Sequence, residues 1–331
     1  MLEEVKCACC HSSNFQTIVE IPEDFELRSS LTPSIFRGPF TIVECRECGQ
    51  FLQNPRPDSE YIHHYYPESY DCFSEWPPQN RIKKWMYNKK IQKKSRQIQK
   101  LLPSGGQVLD YGCGNGHMIR SLKKILPENY YFIGMDFSST QVEKLKKDGI
   151  EAYEIASGIN LENIFLTKPV QLIIINHVIE HVPNPYQLMS SFFKVLNNGG
   201  TIIGETPNAD AWDRRIFKKY WAGWHAPRHF YVFDFRTIRL FAEKTGFEVT
   251  TIASDISGAS HWAISITYLL LGRVFKNYKK NRLPLYLPML ILFVPVTIFQ
   301  LLFSKTSIMQ FQFIKKPANA LGPIPSEHKT S

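Results

Sequence analysis

Residues 107–116, Gln-Val-Leu-Asp-Tyr-Gly-Cys-Gly-Asn-Gly, decide the fold of this chain. Their apolar beginning is typical of a short buried strand that carries Asp110 towards its end. Three glycines alternate directly after it: Gly112, Gly114 and Gly116. Glycines allow a sharp turn and a close approach of the backbone to a ligand. A dinucleotide fingerprint would need glycine or alanine where His117 stands, and an aspartate two residues before the first glycine suits a cationic amino group better than a pyrophosphate.

The segments beyond this loop alternate between apolar strands and helices. We predict strands at 107–111, 130–136, 150–155, 170–176, 201–205 and 247–253, and helices at 116–126, 139–148, 185–197 and 235–245. This alternation predicts an α/β fold with a doubly wound, largely parallel sheet. Asp136 ends the second of these strands, where a carboxylate can accept both hydroxyls of a ribose.

Four segments, in this order, resemble the motifs of class I S-adenosylmethionine-dependent methyltransferases. They are residues 110–116, 134–138, 174–185 and 196–200. The resemblance covers about residues 107–255 and implies a Rossmann-like sheet of seven strands within a cofactor-binding domain at 103–255. The seventh strand of such a sheet is antiparallel beside the sixth, and residues 307–314, in a last segment at 307–331, are our candidate for it.

The same resemblance assigns the cofactor-binding residues. Asp110 and the glycines Gly112, Gly114 and Gly116 would hold the methionine part of S-adenosylmethionine. Asp136, with Phe137 beside it, would hold the ribose end. Asn176 and His177, at the end of the fourth strand, would complete the cofactor side and face the acceptor.

Paired cysteines near the amino end predict a structural zinc site. Cys7-x-x-Cys10 and Cys45-x-x-Cys48 can place four thiolates tetrahedrally around Zn²⁺, with Cys9 as an alternative ligand and free buried thiols as the alternative interpretation. The amino end lacks a basic segment followed by an apolar run, so we expect a cytoplasmic protein without a disulfide framework. Residues 1–57 then form a small zinc ribbon. They are similar to the zinc modules of methyltransferases that act on sugars or on small or lipidic molecules.

Four histidines are candidates for the base that removes a proton from an oxygen acceptor. They are His177, His181, His225 and His229. The run His177-x-x-Glu180-His181 is similar to the Glu-x-x-Glu-His of ubiquinone-type O-methyltransferases, where it is associated with a divalent metal. Because His177 replaces the first glutamate, it stays open whether a metal binds at this run. Glu180 and His181 could instead fix their loop, and His225 and His229 could pack against the neighbouring aromatic residues.

Basic residues exceed acidic ones by 39 to 30, and one segment carries the excess of +9. Residues 81–100, inside a connector at 58–102, hold nine lysines and arginines and no acid. We predict a basic amphipathic helix at 81–102 that faces an anionic partner, with a simple solvated face as the alternative.

Residues 256–306 are strongly apolar, and 283–303 contain 21 uncharged residues. That length could span a bilayer, but three prolines and the candidate seventh strand after it favour an insertion between strands six and seven. We predict a helical hairpin that dips into one leaflet or covers an apolar acceptor, beside basic residues at 273–282. An ordinary apolar lid, a dimer interface and a true span are the alternatives.

These observations predict a methyltransferase that acts at the inner face of the cytoplasmic membrane, peripherally bound. The expected reaction is O-methylation of a small-molecule acceptor that is lipid-linked, quinone-like or glycan-related. A nucleic-acid methyltransferase is one alternative, but the Asn/Asp-Pro-Pro-Tyr/Phe tetrad is absent after the fourth strand, so we do not expect a nucleic-acid acceptor. A non-catalytic cofactor-binding protein is the other, and the oligomeric state stays open.

Overall fold

The structure is a computed structural model that describes residues 2–26, 38–58, 60–66, 81–155, 161–165, 169–271 and 286–316. Its strands are β1 (Leu2–Glu3), β2 (Phe15–Ile21), β3 (Phe40–Cys45), β4 (Phe51–Gln53), β5 (Arg56–Pro57), β6 (Gly106–Tyr111), β7 (Tyr130–Asp136), β8 (Glu151–Glu154), β9 (Val170–Asn176), β10 (Leu196–Pro207), β11 (Tyr231–Val232), β12 (Phe247–Ser254) and β13 (Ile308–Lys315). Its helices are α1 (Arg81–Leu101), α2 (His117–Lys123), α3 (Ser139–Lys147), α4 (Leu161–Phe165), α5 (Pro185–Val195), α6 (Trp212–Phe217), α7 (Phe235–Lys244), α8 (Ala259–Leu271) and α9 (Tyr286–Leu302).

A seven-stranded sheet in the order β12-β13-β10-β9-β6-β7-β8 carries the glycine loop. The strands from β6 to β10 pair in parallel, while β13 is antiparallel to both β10 and β12. The predicted doubly wound sheet and its antiparallel seventh strand are therefore confirmed. The carboxyl ends of β6, β7 and β9 meet at one edge of the sheet, which is where such folds bind ligands.

Both faces of this sheet are buried, which explains the uninterrupted apolar run in its central strand β9. Alternate residues of a strand point to opposite faces. They pack into two separate apolar clusters, Ile173 and Ile175 in one, Leu172 and Ile174 in the other. Helices therefore cover the sheet on both sides, as the βαβ pattern predicts.

The amino-terminal segment forms a second, antiparallel sheet in the order β11-β4-β3-β2. Its fourth strand, β11, comes from residues 231–232, far along the chain, and pairs Tyr231 with Leu52. Gln50 strengthens the connection because its amide donates to the carbonyl of Val232 at 2.9 Å. Strands β2 to β4 thus share a sheet with β11, which follows directly after the segment that carries His225 and His229. The domain boundaries themselves stay a prediction.

Helices α8 and α9 lie between β12 and β13, where the insertion was predicted. They pack against each other through Trp262, whose ring stacks on Phe293 at 4.9 Å and whose indole donates to Gln300 at 2.9 Å. Across the described ranges, no helix is both long enough and apolar enough to cross a membrane. The basic residues at 273–282 lie outside the described residues.

Candidate functional site

Asp110 is a buried carboxylate at the carboxyl end of β6, with 3% of its surface exposed. Its Oδ2 atom has no hydrogen-bond partner among the described residues. Burial raises the pKa of Asp110 to about 7, against the effect of Lys94, and the neighbouring Asp136 adds to the rise. A buried carboxyl oxygen without a partner is rare and indicates a ligand group, here a cation such as an ammonium.

The glycine loop leaves no room for a side chain at Gly112 or Gly116 and is hydrogen-bonded to Asp136. Gly112 has φ +76°, and a Cβ there would lie 2.5 Å from Val178 Cγ2. The Gly114 N–H donates to Asp136 Oδ2 at 2.7 Å, and the Ser138 N–H donates to Oδ1 at 3.0 Å. Each carboxylate oxygen keeps a further lone-pair direction for a ribose hydroxyl. The ring of Phe137 next to it is 60% exposed. These residues fit S-adenosylmethionine.

The carboxyl end of β9 brings Asn176 and His177 to the sheet edge that carries Asp110 and Asp136. Asn176 Oδ1 is buried and has no hydrogen-bond partner within the described part of the chain. His177 adopts a left-handed conformation at φ +54°, and its N–H donates to the carbonyl of Glu205 at 2.7 Å. Its imidazole remains 43% exposed while Nδ1 lies 3.3 Å from Glu180 Oε1. Among the four histidine candidates, His177 is thus the one turned towards Glu180 and Glu205.

Glu205 on β10 is a buried charge that sequence reasoning missed. Lys90 Nζ of α1 lies 3.0 Å from its Oε2, and the buried Lys94 Nζ lies 3.9 Å from its Oε1. Burial opposes ionisation, but Lys90, Lys94 and His177 together hold the pKa of Glu205 at about 2. Part of the basic face of α1 therefore compensates acids inside the protein. The prediction that this helix faces an anionic partner therefore concerns its other lysines and arginines, and it stays a prediction.

The other three histidines form a separate cluster. One ring nitrogen from each of His181, His225 and His229 lies within 4.8 Å of the others. His225 Nδ1 and His229 Nε2 are 3.3 Å apart. Burial lowers the pKa of His181 to about 4 and that of His229 well below its usual value, so both rings are neutral near pH 7. The structure thus brings together histidines that lie up to 48 positions apart in the sequence, from His181 to His229.

Buried charges from the amino-terminal segment surround this cluster. Arg228 is fully buried and donates to both carboxylate oxygens of Asp24, at 3.2 and 2.7 Å. Glu26 accepts a hydrogen bond from His225 Nε2 and lies 3.8 Å from Arg228. No local pattern marks Asp24 or Glu26 in the sequence, since only the fold brings them to residues 225–229.

Four cysteine sulfurs converge in the amino-terminal module. Cys7 and Cys48 are 3.5 Å apart, Cys10 and Cys45 are 3.4 Å apart, and all four lie within 4.8 Å of one another. This arrangement fits a tetrahedral zinc site closed by four thiolates. Cys9 is buried nearby but does not belong to the group of four. Its carbonyl instead accepts from Lys244 Nζ at 2.7 Å, which attaches the module to α7.

The sheet order, the glycine loop and the two carboxylates at the ends of β6 and β7 define an S-adenosylmethionine-dependent methyltransferase. Residues 82–252 match the family model described as "Methyltransferase domain". This match covers more than half of the 331 residues, and the chain belongs to that family.

Curated relatives are similar over part of the chain. A ubiquinone biosynthesis O-methyltransferase of Coxiella burnetii is 28% identical over 126 residues, which are 37% of this chain and 50% of the relative. An uncharacterised protein of Methanocaldococcus jannaschii is 31% identical over 138 residues, 42% of this chain and 57% of that protein. The chain thus spans about half the length of these two relatives.

Two solved structures are similar in fold. A methyltransferase of Archaeoglobus fulgidus that depends on S-adenosylmethionine is 16% identical, with a TM-score of 0.43, over 70% of this chain and 99% of that one. The plantazolicin methyltransferase BpumL, in complex with S-adenosylhomocysteine, is 16% identical, with a TM-score of 0.43, over 69% of this chain and 82% of that one.

Proposed function

We propose that the protein transfers the methyl group of S-adenosylmethionine to an oxygen atom of a small, lipid-linked, quinone-like or glycan-related acceptor. The observation that carries this proposal is the buried Asp110 Oδ2 atom, which has no hydrogen-bond partner in the described residues and lies at the same sheet edge as the exposed His177 imidazole. The similarity to a ubiquinone biosynthesis O-methyltransferase supports an oxygen acceptor.

The cofactor side is built from three polar side chains. Asp110 would accept the ammonium group of the methionine part, and Asn176 Oδ1 offers a second acceptor that lacks a partner in the described structure. Asp136 would accept the ribose hydroxyls while the Gly114 N–H keeps its carboxylate in place. When bound, S-adenosylmethionine supplies a methyl group on a sulfonium, so that a C–O bond forms as the C–S bond breaks and its electron pair remains on sulfur.

His177 would take the proton that the acceptor hydroxyl loses. Its Nδ1–H can donate to the ionised Glu180, which leaves the Nε2 lone pair for the acceptor. Glu205 Oε2, 3.9 Å from Nε2, would stabilise the imidazolium that forms. The catalytic roles predicted for His181, His225 and His229 stay predictions.

Two substitutions separate cofactor binding from proton removal. Asp110→Ala should abolish calorimetric binding of S-adenosylmethionine, whereas Asp148→Asn, an exposed carboxylate that pairs with Arg120, should leave it unchanged. His177→Ala should lower methyl transfer by roughly 10²- to 10⁴-fold, a larger loss than any change in its cofactor affinity. Acceptors are found by mass spectrometry of lipids and glycans after incubation with the cofactor. Unchanged cofactor affinity in Asp110→Ala would contradict the assignment of the site.

We propose two further properties at the level of the whole protein. The four cysteines would hold a structural zinc ion, for which their mutual distances are the support. The protein would bind peripherally to the cytoplasmic face of an anionic membrane. Apolar side chains on α9 support this second proposal because they are largely exposed, among them Ile291, Leu292 and Leu302.

A further inference from the structure

Each histidine of the 181/225/229 cluster has one ring nitrogen held by an oxygen acceptor. His229 Nδ1 lies 2.9 Å from the carbonyl oxygen of Gly223. His181 Nδ1 lies 3.0 Å from the carbonyl oxygen of Arg228 and 2.9 Å from the hydroxyl oxygen of Tyr66, which can accept from it as well. His225 Nε2 contacts the Glu26 carboxylate. Carbonyl and carboxylate oxygens only accept, so each of these nitrogens donates its N–H. A ring that is neutral then carries its lone pair on the opposite nitrogen.

Two of the opposite nitrogens face each other: His225 Nδ1 and His229 Nε2 are 3.3 Å apart. One ring nitrogen of His181 lies within 4.8 Å of one ring nitrogen of each of the other two histidines. Zinc–imidazole bonds are about 2.1 Å long, so small rotations of the three rings would bring all of them to one ion.

The outer contacts are those of metal-bound histidines. A histidine that binds a metal usually donates its other N–H to a carboxylate or a backbone carbonyl, which fixes the tautomer and the ring orientation. Here one carboxylate and two carbonyls play that part. Around the rings, Asp24 and Glu26 contribute two negative charges and Arg228 one positive charge, which favours a cation between the imidazoles.

We propose that His181, His225 and His229 bind one divalent transition-metal ion, separate from the four-cysteine site. Three imidazoles suit borderline ions such as Zn²⁺ and leave one coordination position open for water or an oxygen ligand. The site differs from the sequence-predicted group at 177–181. There, Glu180 directs Oε1 to His177 and accepts from Thr206 Oγ1 at 3.0 Å on Oε2.

Metal content of the full chain tests this proposal without measuring activity. The protein is stripped with a chelator and then loaded with Zn²⁺ for elemental analysis or with Co²⁺ for absorption spectra. We expect two ions per chain, one for each group of ligands. His181→Ala and His225→Ala should each lose one ion and keep the thiolate-to-cobalt charge-transfer band. Cys10→Ser should lose that band and keep the ligand-field absorption of the histidine-bound ion.

A matched control and a second measurement keep the outcome clear. His177→Ala, in the same turn as His181, should retain both ions. Should a cluster variant fail to fold, by circular dichroism, titration of the stripped wild-type chain with Co²⁺ still resolves the two spectra. One ion per chain with a purely thiolate spectrum, or two ions retained in both His181→Ala and His225→Ala, would overturn the proposal. None of these results depends on methyl transfer, so the proposed function can fail independently.

Discussion

At the scale of single residues, Asp110 gives the cofactor site a dependence on pH. A cationic ammonium requires the carboxylate form, and burial raises the pKa of Asp110 to about 7. The raised pKa means that Asp110 is protonated below about pH 7 and ionised above it. We therefore expect affinity for S-adenosylmethionine to fall roughly tenfold for each pH unit below about 7. Calorimetric titrations between about pH 5.5 and about pH 7.5 measure this slope.

Asp110→Asn is the control for that slope. The amide keeps the shape of the side chain but carries no charge at any pH, so binding should be weak and nearly constant over the same range. A wild-type affinity that does not change below pH 7 would show that Asp110 does not meet the ammonium group.

A single functional residue could be predicted where a short sequence motif marks it. Asp110, the glycines and Asp136 lie at strand ends in a spacing that the sequence displays, and the structure places them at one sheet edge. Four cysteines in two pairs likewise converge as predicted. Glu205, Asp24 and Glu26 have no comparable signal, because their partners come from elements that only the folded topology brings to them.

At the scale of secondary-structure elements, α1 is more than a charged surface. Its composition predicted a basic helix, but composition could not show that Lys90 and Lys94 turn inward to Glu205. Lys93 also pairs with an acid, Asp255, at 3.3 Å. The lysines of α1 thus pair with Glu205 on β10 and with Asp255, which directly follows β12.

Lys94→Met should destabilise the protein through the buried Glu205. Breaking a buried ion pair costs about 3 kcal/mol when the remaining charge has no other partner. Because Lys90 remains 3.0 Å from Glu205 Oε2, we expect Lys94→Met to cost less than this value. Urea unfolding measures the change, and exposed Lys100→Ala is the control, expected to stay within about 0.5 kcal/mol of the wild type. Because Lys94 also lowers the pKa of Asp110, the midpoint of cofactor affinity should move to higher pH in Lys94→Met. A loss of stability no larger than that of the control would show that the pair contributes little.

Strand β11 could not be predicted from the sequence. Two residues, Tyr231 and Val232, carry no strand periodicity of their own, and they become a strand only because β4 offers its edge. The hairpin α8–α9, by contrast, was predictable in position, since the apolar run and the final strand at Ile308–Lys315 leave only one place for it.

At the scale of the whole molecule, the exposed apolar side chains of α9 predict membrane binding. Leu302 is 75% exposed, and its replacement by glutamate should reduce cosedimentation with vesicles rich in phosphatidylglycerol several-fold. Ile125→Glu changes an exposed apolar residue outside the hairpin and should have no such effect. Cosedimentation with neutral vesicles measures apolar insertion without the attraction between basic residues and anionic lipid. Equal binding of both variants and the wild type would count against α9 as the contact.

The shared sheet β11-β4-β3-β2 limits how this chain can be recombined. A fragment of residues 82–252, the part that matches the family, would include β11 but not its partner β4, and would lack β13 between β10 and β12. It would also leave Arg228 buried without Asp24. We therefore expect exchange of the cofactor-binding portion between relatives to preserve folding when strands β2 to β4, Asp24 and the closing strand β13 are transferred with it.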